Sequence, residues 1–226
     1  PSHLRAFRLS DGAMAASFEV PPGGACADIA VAKDGTLYVT DAFRSTIMRL
    51  PPNATALEAS WCTSPLFAGN DPQNPVKVGG LDVVQRHGRR ALFVDKRDTG
   101  NLFRIAIVDG PNGEQCAPPV DLQLDAPLPF NDGLRALDFD TVLVTVNAKT
   151  PEAVAAGGPI PGALLRVDVS GGRGHVSVVD DTLDQPTGVV IDGKDAWVSE
   201  GQILRLIGVD ATPPNLPFKL RRVSLR

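Results

Sequence analysis

The sequence predicts an all-β fold built from a repeated antiparallel unit, and three observations support this prediction. Glycine and proline are abundant, at 22 and 20 of 226 residues, which is typical of short strands joined by many turns. Hydrophobic residues make up 43% of the chain and charged residues 21%, so the composition is that of a folded globular protein. A hairpin pattern also recurs about every 50 residues, as repeat architectures require.

The stretch 28–50 is the first clear copy of this pattern. It predicts a short apolar strand at 29–31, an Asp34-Gly35 turn and a second strand at 36–40, followed by Asp41. The Asp-Gly pair favours a tight hairpin, because glycine readily adopts the positive φ that such turns need. A loop and a third strand complete the copy.

Three later stretches repeat this order of strands. Their first strands are short and nearly all apolar, as innermost strands covered on both faces should be. First strands are predicted at 80–84, 133–137 and 188–191, second strands at 91–95, 141–147 and 196–200, and third strands at 102–105, 164–167 and 203–206. Each second strand is followed or ended by an acidic or amide residue, and we expect these four to be equivalent: Asp41, Asp95, Asn147 and Glu200.

An arginine recurs near the end of each third strand. A residue of a catalytic site would be expected once, whereas this arginine returns in every copy. We therefore interpret it as a hydrogen-bonding or packing residue between neighbouring repeats. Its positions are Arg49, Arg104, Arg166 and Arg205, with Arg8 in the same place near the N-terminus.

Four strands in a repeat of about 50 residues is the size of a β-propeller blade. Polar fourth strands are predicted at 57–62, 120–124, 175–180 and 219–225, and the segments 5–9 and 16–20 resemble the outer half of one more blade. The prediction is a single β-propeller domain over 1–226 with about four and a half four-stranded blades. Because so small a propeller closes poorly, we expect six blades in total, with further sequence before Pro1. The predicted blade units are about 1–24, 25–63, 78–125, 131–181 and 186–226.

Charge and hydropathy argue against several classes of function. The net charge of −4 and the pI of about 5.4 leave no basic surface for nucleic acid or an anionic membrane. No apolar run approaches the roughly 20 residues that span a bilayer. His3, His87 and His175 fall in predicted turns or outer strands without an obvious serine or aspartate partner, so the sequence does not support a hydrolytic triad.

The three cysteines leave two interpretations open. Cys26, Cys62 and Cys116 form no CxxC pair and no cluster with histidine, which argues against a structural zinc site. They are either buried free thiols, or Cys62 and Cys116 form a disulfide in an oxidising compartment and Cys26 is unpaired or bonded elsewhere. A glycosylation sequon begins at Asn53, in a predicted exposed turn. Together these features favour a secreted protein.

A propeller brings the loops before its first strands and after its second strands to one face, so candidate binding residues should surround one channel mouth. The longest connections, 63–78 and 148–162, belong to this face, and binding residues usually lie on such loops. Asn53 belongs to the opposite face. The residues expected at the mouth are Asp28, Asp41, Asp95, Lys96, Asn131, Asp132, Asn147 and Glu200.

These residues also have a structural interpretation. Asp41 and Asp95 share one register and can serve as hydrogen-bond acceptors that cap turns. Glu200 differs from them in size and is a candidate general base. Asp132, beside Asn131, is the best single candidate for a functional residue that faces the channel.

Several motifs resemble one family of six-bladed propellers. The likeness covers nearly the whole chain and is carried by DIAVAKDGTLYVTDAF, GLDVV, ALFVDKRDTGNLFRIAI, NDGL, VLVTVN and PTGVVIDGKDAWVSEGQILRL. These stretches are similar to the senescence-marker-protein/gluconolactonase/luciferin-regenerating family, with strictosidine-synthase-like proteins as more distant relatives. The resemblance implies the propeller fold. For an enzyme of the family it also implies calcium- or zinc-dependent lactone hydrolysis, with the metal on the propeller axis.

The resemblance further implies where such a metal would bind. Asn131 and Asp132 resemble the family's Asn-Asp-Gly motif, and Asp28 lies in an equivalent slot of another blade. Gly80 and Thr187 stand where the enzymes place further ligands, and the family's early Glu-Gly-Pro motif has no counterpart in this sequence. Calcium takes roughly six to eight oxygen ligands, so these residues predict an eroded metal site.

Three functions are therefore open at the level of sequence. The first is an extracellular propeller that binds a small molecule, a glycan or a protein without catalysis. The second is a divergent lactonase or hydrolase that acts on a small molecule in the central channel, with Ca²⁺ or zinc held by Asp28, Asn131 and Asp132. The third is a subunit of a larger assembly in which neighbours complete the ring.

Overall fold

A computed structural model describes residues 3–69, 76–111, 113–156 and 160–225. Its regular structure is nearly all β, and the sheets form a nearly closed, barrel-like arrangement, which confirms the predicted all-β class. The strands are β1 (His3–Phe7), β2 (Met14–Glu19), β3 (Cys26–Val31), β4 (Leu37–Asp41), β5 (Thr46–Leu50), β6 (Glu58–Thr63), β7 (Val78–Arg86), β8 (Arg89–Lys96), β9 (Asn101–Gly110), β10 (Gly113–Cys116), β11 (Val120–Leu124), β12 (Asn131–Ala136), β13 (Thr141–Val146), β14 (Gly162–Ser170), β15 (Arg173–Leu183), β16 (Gly188–Asp192), β17 (Asp195–Glu200) and β18 (Lys219–Ser224).

The described strands pair into a hairpin and a series of antiparallel units. The N-terminal hairpin is β1–β2, unit 1 is β3–β6, unit 2 is β7–β11, unit 3 is β12–β15 and unit 4 is β16–β18. Within a unit, neighbouring strands follow chain order, except that both β10 and β11 pair with β9. Units 2 and 3 are joined by a short parallel pairing of β11 with β15.

A large residue on the second strand of each of the first three units packs into the next unit. Tyr38 lies in the core formed with unit 2, Phe93 in the core of unit 3 and Leu143 in the core of unit 4. The hydrophobic core is therefore a series of seams between consecutive units. These three residues share one register, because each lies opposite the recurrent arginine of the third strand: Arg49, Arg104 and Arg166.

Unit 4 differs from its prediction. The segment 203–206, predicted as a third strand, is a short helix, α2 (Ile203–Leu206). The strand that pairs with β17 is β18, predicted above as a fourth strand. Arg222 lies opposite Trp197 and so takes the register of the recurrent arginine, whereas Arg205 lies on α2.

The acidic residues at the second-strand ends do not share one register, contrary to the prediction. Asp95 comes two residues after Phe93, so it occupies the register of Thr40 and Thr145 rather than that of Asp41. The predicted alignment failed because it matched the residues by their polar type, whereas the strand pairing places Asp41 one residue further along its strand than Asp95. The other second-strand ends come one or two residues after this register: Asp41, Glu200 and Asn147.

The two long connections that are predicted to lie at the channel mouth are partly described. The connection 63–78 contains a 3₁₀ turn, Pro65–Phe67, and its residues 70–75 lie outside the described residues. The connection 148–162 contains helix α1 (Pro151–Ala155), and its residues 157–159 also lie outside them. Neither helix of the described chain has the length and hydropathy that crossing a membrane requires.

Candidate functional site

A hydrogen bond between the first and second strands recurs near the start of the first strand. In unit 1 the Thr40 hydroxyl accepts from the backbone N–H of Asp28 at 3.0 Å. In unit 2 the Asp95 Oδ1 atom accepts from the N–H of Gly80 at 2.9 Å. Asp95 therefore accepts in unit 2 the hydrogen bond that Thr40 accepts in unit 1, from a backbone N–H of the first strand.

The same bond corrects the predicted alignment of the first strands. In unit 3 the Thr145 hydroxyl accepts from the N–H of Gly133 at 2.8 Å. Gly133, and not Asp132, is consequently the equivalent of Asp28. Asp28 and Asp132, the two candidate carboxylates, therefore occupy different positions of the repeat, one residue apart.

Asp95 is a strongly perturbed acid. Its side chain is fully buried, and this burial, reinforced by the charge of Asp132, raises its pKa well above the ordinary range of a carboxyl. Its Oδ2 atom has no hydrogen-bond partner among the described residues. A Cβ on Gly79 would lie 2.6 Å from Asp95 Oδ1, and a Cβ on Gly80 would lie 2.8 Å from Oδ2. Gly79 and Gly80 therefore leave the room that this carboxyl occupies.

Arg97 ties the end of β8 to unit 3. Its Nη1 donates to the backbone oxygen of Asn131 at 2.8 Å, and its Nη2 donates to Asn147 Oδ1 at 2.6 Å. Nη1 also lies 3.4 Å from Asp132 Oδ2, which accepts from Asn147 Nδ2 at 3.1 Å. Burial raises the pKa of Asp132, although the charge of Arg97 and the hydrogen bond from Asn147 act in the opposite direction.

The two asparagines brace the loops around this pair. Asn131 Nδ2 donates to the backbone oxygens of Lys96 at 3.0 Å and Leu128 at 2.9 Å, and Asn147 Nδ2 donates to that of Pro186 at 2.7 Å. Both asparagines are fully buried, and Asn131 Oδ1 has no partner among the described residues. These amides hold units 2, 3 and 4 together rather than presenting groups to solvent.

Arg135 makes the matching contact with Asp28. Its Nη1 lies 2.8 Å from Asp28 Oδ2, which also accepts from the N–H of Leu81 at 3.2 Å. Asp28 Oδ1 accepts from the N–H of Ile29 at 2.8 Å. One carboxylate from unit 1 thus meets a backbone group of unit 2 and a guanidinium of unit 3.

Four of these side chains are partly open to solvent, and we call them the mouth network. Their exposed side-chain fractions are 18% for Asp28, 17% for Arg97, 31% for Asp132 and 29% for Arg135. The charge of Asp28 contributes to the raised pKa of Asp132, so the two ion pairs act on each other. A ligand that contacted this network, which is named after the predicted channel mouth, would meet two carboxylates and two guanidiniums with no net charge.

The side chains of three other predicted mouth residues are buried and have partners of their own. Asp41 is buried and accepts two backbone N–H groups at 3.0 and 3.1 Å, the turn-capping geometry considered above. Glu200 is buried, accepts a backbone N–H at 3.1 Å and lies 3.6 Å from Arg221. The Lys96 amine lies 3.6 Å from Asp98.

The predicted metal ligands do not fit a calcium ion. The carboxylates of Asp28 and Asp132 are each engaged by a guanidinium, which would repel a cation placed between them. Calcium requires roughly six to eight oxygens, while Gly80 has no side chain to offer one. Within the described ranges, no three His, Cys, Asp or Glu side chains are grouped to hold a metal. We derive no chemistry through a metal.

Sequence reasoning missed the two arginines of the mouth network. Arg135 lies inside the predicted first strand 133–137, whose other residues carry no polar side chain, and this was the available signal. Arg97 directly follows the second strand, in the four-residue loop 97–100, and stands between the charged residues Lys96 and Asp98. Their partners are distant in sequence, so no local pattern indicates the pairs.

The structure also bears on three predictions about residues outside the mouth network: the cysteines, Asn53 and the histidines. The structure has the Cys62–Cys116 disulfide, and Cys26 is an exposed free thiol. Asn53 is exposed, with a φ of 64°, and its glycosylation stays a prediction. The statement that the histidines lack an acidic partner is wrong for His175, whose Nδ1 lies 2.5 Å from Asp125 Oδ2 on the surface.

Comparison with protein-family models and with curated protein sequences gave no match. Solved structures of similar fold do match. Virginiamycin B lyase from Staphylococcus aureus is 14% identical over 87% of this chain and 55% of its own, with a TM-score of 0.52. A catalytically inactive form of that enzyme with quinupristin gives 13% identity, 99% and 78% coverage and a TM-score of 0.52.

A protein of unknown function from Bacteroides caccae is 11% identical over 98% of this chain and 69% of its own, with a TM-score of 0.55. The chain spans 55% of the length of the first lyase structure. At such identities the likeness shows the fold alone, which is a β-propeller. The gluconolactonase-like family suggested by the motifs is not established by these comparisons.

Proposed function

We propose that this chain is an extracellular β-propeller that binds a polar, hydroxyl-rich ligand at its channel mouth without a metal. The observation that carries the proposal is the mouth network. Each carboxylate that the family resemblance assigns to a metal is engaged instead by a guanidinium, Asp28 by Arg135 and Asp132 by Arg97.

The chemistry of the network favours a ligand that both donates and accepts hydrogen bonds. Carboxylate oxygens accept from hydroxyl groups, and guanidinium N–H groups donate to hydroxyl or ring oxygens. The network is neutral overall, so it gives no electrostatic preference for an ion of either sign. A carbohydrate, free or as part of a glycan, matches this pattern of donors and acceptors.

The extracellular part of the proposal rests on different residues. The Cys62–Cys116 disulfide is of a kind that persists in oxidising compartments. The sequon at Asn53 lies in an exposed turn, in a loop between third and fourth strands that a propeller is expected to carry on the face away from the mouth. A glycan there would leave the mouth open.

A calcium-dependent lactonase is the function against which the proposal is tested. Hydrolysis of glucono-δ-lactone by the purified chain is measured once in the presence of CaCl₂ and once in the presence of EDTA. The melting temperature of the chain is recorded under the same two conditions. We expect no hydrolysis above the buffer rate and no calcium-dependent thermal shift. Calcium-dependent hydrolysis that is lost in Asp28→Asn and Asp132→Asn would contradict the proposal.

Ligand binding is tested directly with sugars. Thermal shift and NMR titration with glucose, galactose, mannose and their β-linked disaccharides should give a saturable response to at least one of them. A ligand at about 100 times its Kd adds about 2.7 kcal/mol to the free energy of unfolding, a shift that is easily measured. Asp132→Asn should weaken the response, whereas Asp109→Asn, an exposed residue outside the mouth, should not. Binding that is unchanged in Asp132→Asn would place the ligand elsewhere.

A further inference from the structure

One face of unit 4 carries three exposed apolar side chains together with the Arg222–Asp195 ion pair. Trp197 on β17 lies opposite Val190 on β16 and Arg222 on β18, and Leu220 is on the same face two residues along β18. The exposed fractions are 38% for Trp197, 56% for Val190 and 70% for Leu220. We call these three apolar residues the Trp197 face.

The register of Trp197 shows what normally covers such a face. Tyr38, Phe93 and Leu143 occupy the same register in units 1 to 3, and their exposed fractions are 1%, 0% and 0%. Each is covered by the first two strands of the following unit. Phe93, for example, packs with Leu134 and Val144 of unit 3. The same contact is therefore made at three successive seams, and the Trp197 face is where a fourth would form.

The opposite end of the described chain lacks the complementary partner. Ile29 lies at the register of Leu81, Leu134 and Val189, which receive the large residue of the preceding unit. Those three are buried, while Ile29 is 39% exposed. The N-terminal hairpin packs on the rest of this face, with Leu4 and Phe18 in one core cluster with Val39, Met48 and Leu50, and leaves Ile29 open.

We propose that the Trp197 face is a docking surface for the two inner strands of a further four-stranded β-unit of the same design. Such a unit would present aliphatic residues at the registers of Leu134 and Val144, and Trp197 would pack between them. This surface is separate from the mouth network, so the proposal stands or falls independently of ligand binding.

A second copy of the chain fits this surface less well. A two-fold dimer would set Trp197 against Trp197, whereas the internal seams set a large residue against aliphatic ones. A head-to-tail dimer would need the aliphatic face of unit 1, and the N-terminal hairpin already packs on much of it. The continuity of the three internal seams therefore favours another β-unit.

The test follows the exposure of Trp197. Trp61 is the other tryptophan, so Trp61→Phe leaves Trp197 as the sole indole emitter. A copy of residues 125–185, which contains unit 3 and the connection before it, is appended after residue 226. If the copy docks, the emission of Trp197 should shift to the blue, and its acrylamide quenching constant should fall about threefold or more, because a covered indole is shielded from solvent.

The matched control is the same fusion with Val144→Lys in the appended copy alone. It should restore the quenching constant of the chain without an appended unit, because a lysine in place of Val144 cannot be buried there without cost. An appended unit that folds, as judged by circular dichroism, but leaves Trp197 fully quenchable would overturn the proposal.

A second measurement on the unfused chain keeps the proposal testable if the fusion misfolds. The chain should sediment as a monomer at micromolar concentration with Trp197 open to acrylamide. Trp197→Lys should change its melting temperature by no more than about 2 °C, since exposed substitutions alter stability by about 0.5 kcal/mol or less. A dimer that Trp197→Lys dissociates, or a large loss of stability, would show that the face is already covered and overturn the proposal.

Discussion

Asp95 shows how one residue can keep a structural bond while changing its chemistry. Threonine hydroxyls make the bond between first and second strands in units 1 and 3, and they carry no charge. Asp95 makes it in unit 2 with a fully buried carboxyl. Because a buried carboxylate is costly, the folded protein favours the protonated form.

The first prediction concerns the pH dependence that follows from this burial. The pKa of Asp95 is raised in the folded state, so the folded protein holds this proton to higher pH than the unfolded chain does. Its contribution to stability is then fully present below the ordinary carboxyl pKa and is lost as the pH rises through the raised value. Asp95→Asn removes that loss. We expect it to unfold like the wild type near about pH 4 and to be more stable, by about 1–3 kcal/mol, near about pH 8.

Urea denaturation at the two pH values measures this difference. Asp109→Asn is the control, because the Asp109 side chain is 89% exposed and the change should stay within about 0.5 kcal/mol at both. A stability gap between wild type and Asp95→Asn that does not widen with pH would mean that Asp95 is ionised without cost.

At this scale the sequence indicated residues and not their partners. Asp28 and Asp132 were identified from their places near the starts of strands, the structure pairs each of them with a guanidinium, and their place at a channel mouth stays a prediction. Their partners could not be inferred, since Arg135 and Asp28 are 107 residues apart. Pairs of that kind depend on which units become neighbours, and the repeat pattern fixes backbone positions rather than side-chain contacts.

Strand β10 is the element that connects units 1 and 2 at their outer edge. It pairs with β9 and carries Cys116, which is bonded to Cys62 of β6. Glu114 on the same strand accepts from Tyr38 Oη at 2.9 Å and lies 3.3 Å from Arg49 Nε. The recurrent arginine therefore does reach the neighbouring unit at this seam.

The second prediction is that this connection contributes substantially to stability. The disulfide joins residues 54 apart in sequence, and the chain-entropy model gives about 4 kcal/mol for a loop of that size. Cys62→Ala with Cys116→Ala should lower the free energy of unfolding by about that amount in urea denaturation. Cys26→Ser, at an exposed free thiol, is the matched control and should leave it nearly unchanged. A difference below about 1 kcal/mol would mean that the seam holds without the covalent bond.

Helix α2 shows where sequence patterns failed at the scale of elements. Ile203-Leu204-Arg205-Leu206 has the apolar and arginine pattern of a third strand, but so does the segment 220–223. Four residues cannot distinguish a strand from a helical turn by periodicity. The helical conformation of 203–206 is held by a polar cluster in which Arg205 contacts Asp184, Asp210 and Thr212.

The third prediction tests that cluster. Arg205 is nearly buried and its Nε lies 3.2 Å from the fully buried Asp210 carboxylate, so Arg205→Ala leaves a buried charge without its counter-ion. Breaking a pair of this kind costs about 3–5 kcal/mol. We expect the segment 203–218 to open locally, and limited chymotrypsin digestion should then cut it faster. Arg8→Ala, which removes an exposed pair with Asp11, is the control and should not alter the digestion pattern. Equal cutting of wild type and Arg205→Ala would mean that the cluster does not hold the helix.

At the scale of the whole molecule, the fold follows from repetition. Four copies of a strand order about 50 residues apart were visible in the sequence, and similar solved structures confirm the propeller class. The register between units was less visible, because the residues that set it vary. The residue at this register is large in every unit, but its type changes from one unit to the next: Tyr38, Phe93, Leu143 and Trp197.

The last prediction concerns the seams on which the fold depends. If stability resides in contacts between consecutive units, as it does in repeat proteins generally, removing one large seam residue should cost as much as removing a residue from a single core. Phe93 is fully buried between units 2 and 3, and Phe93→Ala should lower the free energy of unfolding by about 3–5 kcal/mol. Val190→Ala, on the exposed Trp197 face, should cost about 0.5 kcal/mol or less. Urea denaturation followed by circular dichroism measures both, and comparable losses in the two variants would show that the face of unit 4 is as firmly packed as the internal seams.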